Sequence, residues 1–360
     1  MQIGIVGLPF SGKSTLFQTI TKAHLDQSQL VKAESHHAVI KVPDSRLEKL
    51  SGVFNPKKTT FAAIEFVDVI GLQKGDSGSS QFTSNFLGNV KTNDALIQVV
   101  RLFNNELVPH PLGGIDLMRD IEIFETEFIL SDLAIVEKRV DNLKKQILKT
   151  QDDALKRELS VLQKCGEILQ AEKPLRDSDL TPDDLHILKT YQLLTAKPML
   201  IALNLDESQA EGTEKYFDIL VKKKIGKNTK AITFFGQIEF EMSELESADA
   251  EIFMNEYGIK ESALKSIIRE AYNLLGLQSF FTVGEDECRA WTIRKGMTAQ
   301  EAAGVIHSDF YNKFIRAEVV HYDDFIHHGS FAQAKEHGAW RLEGKEYIVK
   351  DGDIISVRHN

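Results

Sequence analysis

Hydrophobic positions in this chain come in two rhythms. Ile3-Gly4-Ile5-Val6, Ala63 to Val69, Ala95 to Val100, Met199 to Leu203 and Ala231 to Phe235 are near-continuous apolar, β-branched runs. A strand wetted on one face would alternate; runs without alternation predict strands covered on both faces, hence an α/β fold with a parallel sheet between helices. Between Asp120 and Lys173 the rhythm changes. Ile129, Leu133, Val136, Val140, Leu143 and Ile147 follow at spacings of four and three, a coiled-coil seam. Thr150-Gln151-Asp152-Asp153 interrupts it, and Leu155, Leu159, Leu162 and Leu169 resume it, with Gly166 at the seam position between the last two. The pattern predicts two arms of an antiparallel helical hairpin inserted into the α/β domain; one unbroken helix is the alternative.

From about Leu277 a third pattern begins. Phe280 to Val283 and Cys288 to Ile293 read as paired strands, and Thr298 opens a helix to His307 with Glu301 at the capping-box spacing. Ile315 to Val320, Trp340 to Leu342, Tyr347 to Val349 and Ile354 to Val357 read as further strands, giving a small mixed sheet that holds one helix. The expected organisation is residues 1–119 with 174–276 as the α/β domain, 120–173 as the hairpin and 277–360 as a C-terminal domain.

The first apolar run leads directly into Gly7-Leu8-Pro9-Phe10-Ser11-Gly12-Lys13-Ser14-Thr15, which is GxxxxGK[ST] between a strand and a helix-compatible segment. In that context the pattern is a phosphate-binding loop. Its glycines let successive N–H groups point at one phosphate, Lys13 reaches the outer phosphates, Ser14 supplies a hydroxyl to Mg²⁺, and the next helix offers its positive end. Phe10, Ser11, Gly12, Lys13, Ser14 and Thr15 are the expected phosphate contacts. The alternative is a glycine-rich turn that binds nothing.

Composition narrows the class. The 360 residues carry 43 Lys+Arg against 53 Asp+Glu, a net charge of −10, which argues against bulk electrostatic grip on nucleic acid. No apolar run reaches membrane-spanning length, and the nucleotide loop begins where a leader would stand. Cys165 and Cys288 are far apart and lack zinc-site spacing, so both are read as reduced thiols of a cytoplasmic protein. Gly75 to Ser80 reads as a mobile loop.

Two further motifs fall at strand ends. Asp68-Val69-Ile70-Gly71 is DxxG, in which the aspartate holds the Mg²⁺ shell and the glycine N–H senses the γ-phosphate. Asn204-Leu205-Asp206-Glu207 occupies the position where GTPases carry NKxD. Glu207 is one methylene longer than the aspartate that pairs with guanine, and unpaired guanine donors in a pocket are costly, so adenine is the expected base. The alternative is a polar loop after a strand.

These stretches make the chain resemble the YchF/Obg-like ATPase family. The matching residues are Gly7-Leu8-Pro9 with Gly12 to Thr15, Val42-Pro43-Asp44 with Arg46-Leu47, Ile64 to Asp68, Asn204 with Glu207, Arg289 to Gly296, Ala302 to His307 and Phe314 to Val319. The resemblance covers essentially the whole chain. It implies a C-terminal TGS domain of β-grasp shape, preference for ATP over GTP, and association with ribosomes. It also implies a hydrophobic residue, Leu72, where Ras-like enzymes place a water-orienting glutamine. The catalytic role then passes to His110, in Val108-Pro109-His110-Pro111; an exposed loop histidine is the other reading.

Departures from the family pattern matter as much. The family's usual Asn-Val is Phe10-Ser11 here, and phenylalanine cannot supply the oxygen proposed to ligate K⁺, so potassium dependence is doubtful. The family's first-switch threonine falls on Lys32, which cannot ligate Mg²⁺. The residues from Gln278 carry ten basic against thirteen acidic side chains. RNA contact would therefore need a local face, with Arg289, Arg294, Lys295, Lys313 and Arg316 near Trp291, or the run Lys222 to Lys227 with Lys230, as candidates; a solvated face is the plainer reading. The expected function is a cytoplasmic, ATP-binding, Mg²⁺-dependent switch with slow hydrolysis, acting on ribosomes, with no membrane or DNA partner. A nucleotide-sensing adaptor that does not turn over, presenting its hairpin or TGS domain to a protein or RNA, is the alternative.

Overall fold

The computed structural model describes residues 1–21, 36–69, 82–150, 152–209, 211–222, 226, 228–245, 249–250, 252, 254 and 261–360. Gly71, Leu72, Lys32, the loop 75–80 and most of the basic run lie outside them. The chain divides into two compact units, 1–38 with 65–267 and 39–64 with 268–360.

The first unit is built on the expected sheet. β1 (Gln2–Gly7) leads into α1 (Lys13–Thr21); along the chain β2 (His36–Lys41) comes next, then α2 (Ser45–Phe54) and β3 (Lys58–Thr60), which belong to the second unit, and then β4 (Ala63–Asp68). After α3 (Ser84–Lys91) and β5 (Ala95–Arg101) come the long helix α4 (Leu117–Thr150) and α5 (Asp153–Gln170). Then follow α6 (Pro182–Leu188), β6 (Met199–Asn204), α7 (Glu214–Lys222), β7 (Thr229–Phe234), α8 (Gly236–Glu244) and α9 (Ala263–Leu274). The strand order is β2-β4-β1-β5-β6-β7. β1 is parallel to both β4 and β5, and β5–β6 and β6–β7 are parallel too. All residues of β5 and β6 are buried, as the unbroken apolar runs require. Because β1 sits where the strand order reverses direction, its following loop opens into the crevice at the carboxyl ends of the strands.

The seam of four and three becomes two packed helices. Asp152 caps α5 by accepting from the Ala154 N–H at 2.8 Å, which fixes the break. Arg139 pairs with Glu158 and Val136 lies against Gly166, so residue numbers fall on one arm as they rise on the other: the arms are antiparallel. Val136, Leu143, Leu162, Cys165 and Leu169 fill the seam. α4 is also anchored in the domain below, where Phe124 and Phe128 meet Phe82 edge-on.

The second unit contains β8 (Leu277–Thr282), β9 (Glu287–Arg294), α10 (Ala299–Ile306), α11 (Ser308–Asn312), β10 (Phe314–His321), α12 (Tyr322–His328), α13 (Phe331–Glu336), β11 (Arg341–Glu343) and β12 (Asp353–His359). Its sheet runs β11-β10-β12-β8-β9-β3, with β8–β9 an antiparallel hairpin and β12 parallel to β8. Thr298 and Glu301 form the expected capping box on α10, whose Ala299, Ala302 and Ala303 pack against Phe280 and Ile293. This is a β-grasp arrangement. It includes β3, parallel to β9, from a segment that the sequence pattern had left in the first domain. Tyr347 to Val349 is not a strand. Its backbone serves the start of α10, Ala299 N–H to Tyr347 O at 2.7 Å and Val349 N–H to Met297 O at 3.1 Å, leaving one bridge between Thr298 and Ile348. Periodicity cannot separate a strand from an extended segment that caps a helix.

Candidate functional site

The phosphate loop turns through two left-handed residues, Phe10 at φ 63° and Gly12 at φ 92°. The first is costly for a side chain with a Cβ, about 1–2 kcal/mol. Phe10 is 62% exposed, so packing of its ring does not offset that cost. At Gly12 a Cβ would stand 2.1 Å from Asn204 Nδ2, so glycine is required there twice over, by conformation and by space. Ser11 Oγ is buried, with no hydrogen-bond partner among the described residues. Lys13 and Asp68 are both buried and pair directly, Nζ to Oδ1. The DxxG aspartate and the loop lysine are thus brought together. Ser14 and Thr15 stand half-buried in the first turn of α1.

Asn204 is placed differently from the expectation. It is 4% exposed at the end of β6. Its Oδ1 accepts from the Gly236 N–H at 3.0 Å and its Nδ2 donates to Ser11 O at 3.1 Å. The amide therefore ties the phosphate loop to the start of α8. Leu205 points into the core, and its N–H is taken by Phe234 O at 2.9 Å. Glu207 is exposed at the start of a short turn. That turn is shaped by Asp206, whose Oδ1 accepts from Ser208 N–H and Oγ and whose pKa those bonds lower.

His110 is not an exposed loop histidine. Its side chain is 5% exposed, Nε2 lies 3.0 Å from Asp120 Oδ2, and Nδ1 accepts from the Leu112 N–H at 3.2 Å. A cavity of about 750 Å³ opens beside it, lined by Arg101, Asn104, Pro109, His110, Asp206 and Gln209 among others. Arg101 is buried, which pushes its pKa down from the ordinary arginine value. It donates to Phe103 O and Val108 O, and its guanidinium stacks over the Phe103 ring at 4.5 Å.

A family model described as 50S ribosome-binding GTPase matches residues 2–164. A second, for the YchF GTPase C-terminal region and described as a protein of unknown function, matches residues 277–360. The ribosome-binding ATPase YchF of Bacillus subtilis is 42% identical, over 99% of this chain and 98% of its own. That of Escherichia coli O157:H7 is 38% identical over the same shares. The solved YchF GTPase of Schizosaccharomyces pombe superposes with a TM-score of 0.87 at 31% identity, over 99% of this chain and 97% of its own. This chain belongs to the YchF family.

Within that YchF frame, sequence reasoning missed Gly236, Arg101, Arg119 and Asp120. Gly236 had no motif around it, and only the adjacency of β6 and β7 reveals its partner. Arg101 carries a signal, a basic residue closing a strand whose other polar side chain is Gln98. In the C-terminal unit, Arg289 lies over the Trp291 ring at 3.9 Å, and Trp291 in turn stacks on Phe280. Arg294, Lys295, Lys313 and Arg316 are exposed. Among the described residues no group of three or more His, Cys, Asp or Glu is set to hold a metal. No described helix is long and apolar enough to cross a membrane.

Proposed function

We propose that this chain is an ATP-binding P-loop switch protein with slow, Mg²⁺-dependent ATP hydrolysis, acting in the cytoplasm in association with ribosomes. The observation that carries the reading is the convergence of the loop 7–15, Asp68 and the Asn204 turn at one end of the sheet. Family membership supports ribosome association, since the similar bacterial proteins are named for it. The loop amides, Ser11 and Lys13 hold the phosphates. Ser14 and Asp68 offer hard oxygens of the kind Mg²⁺ prefers, and the metal's charge would neutralise charge building on the phosphates. The Lys13–Asp68 pair fits this assignment, because a buried ammonium and carboxylate at the loop are what a phosphate and a cation would each replace. Gly71 is proposed as γ-phosphate sensor on its motif alone. Leu205 and Glu207 are proposed to flank the base, with Asn204 acting through the loop and the adjoining cavity giving the base room. His110 is the proposed catalytic residue.

The second reading, an adaptor that binds without turnover, is favoured by two observations: the His110 ring is buried, with Nδ1 bonded to the Leu112 N–H and Nε2 against Asp120, and the Phe10 side chain offers no oxygen for a K⁺ ion. Measured affinities for ATP and GTP, with single-turnover hydrolysis with and without ribosomes, separate the two. Tight ATP binding with no hydrolysis under either condition sinks the enzyme reading, and tighter GTP binding sinks the base assignment.

A further inference from the structure

We infer that Asp120 and Arg119 form a latch that stores His110 in an inactive position, and that hydrolysis requires the latch to open. The inference rests on the reading of His110 as the group that handles water. In the structure the ring is turned into the protein, with Nδ1 bonded and Nε2 facing the Asp120 carboxylate. Nδ1 accepts the Leu112 N–H, which puts the ring proton of a neutral imidazole on Nε2, against Asp120 Oδ2. Asp120 is itself held: its Oδ1 accepts from Arg119 Nε at 2.9 Å and Nη2 at 2.8 Å. Arg119 also donates to the carbonyls of Leu112 and Gly114. One ion pair at the start of α4 thereby fastens the loop just beyond the histidine.

The latch has a weak side. Asp120 Oδ2 is buried, and although Nε2 is close, the ring N–H does not point along the contact, so this oxygen has no aligned donor. A buried carboxylate oxygen left so is poorly compensated, which lowers the cost of letting the ring go. The cavity beside Pro109, His110, Gly113 and Gly114 leaves the loop that carries the ring unpacked on that side, so the loop can shift without displacing a neighbour. Once free, the imidazole accepts a proton from water as the water oxygen bonds to the γ-phosphorus. The bond from phosphorus to the β–γ bridging oxygen then breaks, giving ADP and inorganic phosphate, and the imidazolium returns its proton to solvent. Asp120 and Arg119 are positioning residues; they touch the histidine and its loop, not the substrate.

The test is single-turnover ATP hydrolysis by the full chain at saturating ATP, comparing Asp120→Asn, Arg119→Gln, His110→Ala and the Asp120→Asn/His110→Ala double variant. Release of the latch is expected to raise the rate about tenfold in Asp120→Asn, the factor that about 1.4 kcal/mol of lost preference for the stored state gives. ATP affinity should stay unchanged, and the double variant should be as slow as His110→Ala. A merely structural role would lower the melting temperature without raising the saturating rate. Arg119→Gln, half-exposed and outside the core, serves if Asp120→Asn does not fold. No acceleration in either, with His110→Ala impaired, overturns the latch and leaves the catalytic histidine standing. An unimpaired His110→Ala overturns both.

Discussion

Asn204→Ala tests whether this residue reads the base or holds the loop. The side chain makes two buried hydrogen bonds, from Gly236 N–H at 3.0 Å and to Ser11 O at 3.1 Å. Alanine leaves a backbone donor and a backbone acceptor unpaired away from water, each costing about 1–3 kcal/mol, so a loss of about 2–6 kcal/mol is expected. Asn204→Asp should be no milder. Its carboxylate still accepts from Gly236 but sets an oxygen against the Ser11 carbonyl where a donor stood. Urea denaturation gives the stability change, and titration with ATP gives the affinity, which should fall with the loop's order. Wild-type stability in both variants, with affinity for ATP alone reduced, would refute the loop-holding role and return Asn204 to the base.

Phe10→Asn places a residue that tolerates the left-handed region at φ 63°, so it is expected to stabilise the protein by about 0.5–1 kcal/mol, read as a higher urea midpoint. The same variant restores an oxygen at the position where the family usually has one; stimulation of hydrolysis by K⁺ over Na⁺ that appears only in the variant would tie Phe10 to the loss. Glu158 accepts two bonds from Arg139, at 2.8 and 3.1 Å, with Tyr191 donating as well, and the Arg139 bond foremost holds its pKa below the usual glutamate value. Its contribution is therefore present above the unfolded pKa of about 4.3 and lost as pH falls through the lower folded value. Glu158→Gln should cost about 1 kcal/mol at pH 7 by chemical denaturation, a gap that closes in acid; a gap that is constant with pH contradicts the assignment. Burial pushes the Cys165 thiol up to about 11, and Cys288 is buried too. Iodoacetamide at pH 8 should label neither thiol in the native protein and both after denaturation, counted by mass.

Much of the fold was legible because burial on both faces of a sheet writes itself into a strand as an unbroken apolar run. Met199 to Leu203 and Ala95 to Val100 were placed to within a residue of their observed ends. β2 escaped because its pattern, His36-His37-Ala38-Val39-Ile40-Lys41, is that of a strand with no fully buried residue. β3, three residues long with no apolar side chain, had nothing for periodicity to detect. At the site, the two motifs holding Lys13 and Asp68 could be found because each carries its own strand-end context, and the structure brings the two side chains together. Local motifs could not give the burial of His110, because Asp120 and Leu112 act on it through a loop that turns back on itself. Two prolines beside a histidine signal a loop but not which way its ring faces.

The role of Asn204 follows from register rather than motif. β5 and β6 pair with Arg101 opposite Asn204, and β6 and β7 pair with Asn204 opposite Phe234, so Gly236 lies just past its neighbour. β1 reaches the same end beside β5, with Gly7 opposite Val99, which carries Ser11 to the amide. A short side chain there can span loop and turn only if nothing larger than hydrogen stands between them. At Gly236 a Cβ would lie 2.8 Å from Asn204 Oδ1, as at Gly12 it would strike Nδ2. Two glycines more than 200 residues apart in sequence thus serve one asparagine. Phosphate contact and base-side turn are consequently coupled mechanically: a ligand that shifts the loop at Ser11 must move Asn204 or break a buried bond. That cost ties the position of the loop to that of α8, whose Glu239 accepts from Ser262 Oγ and the Ala263 N–H at the start of α9.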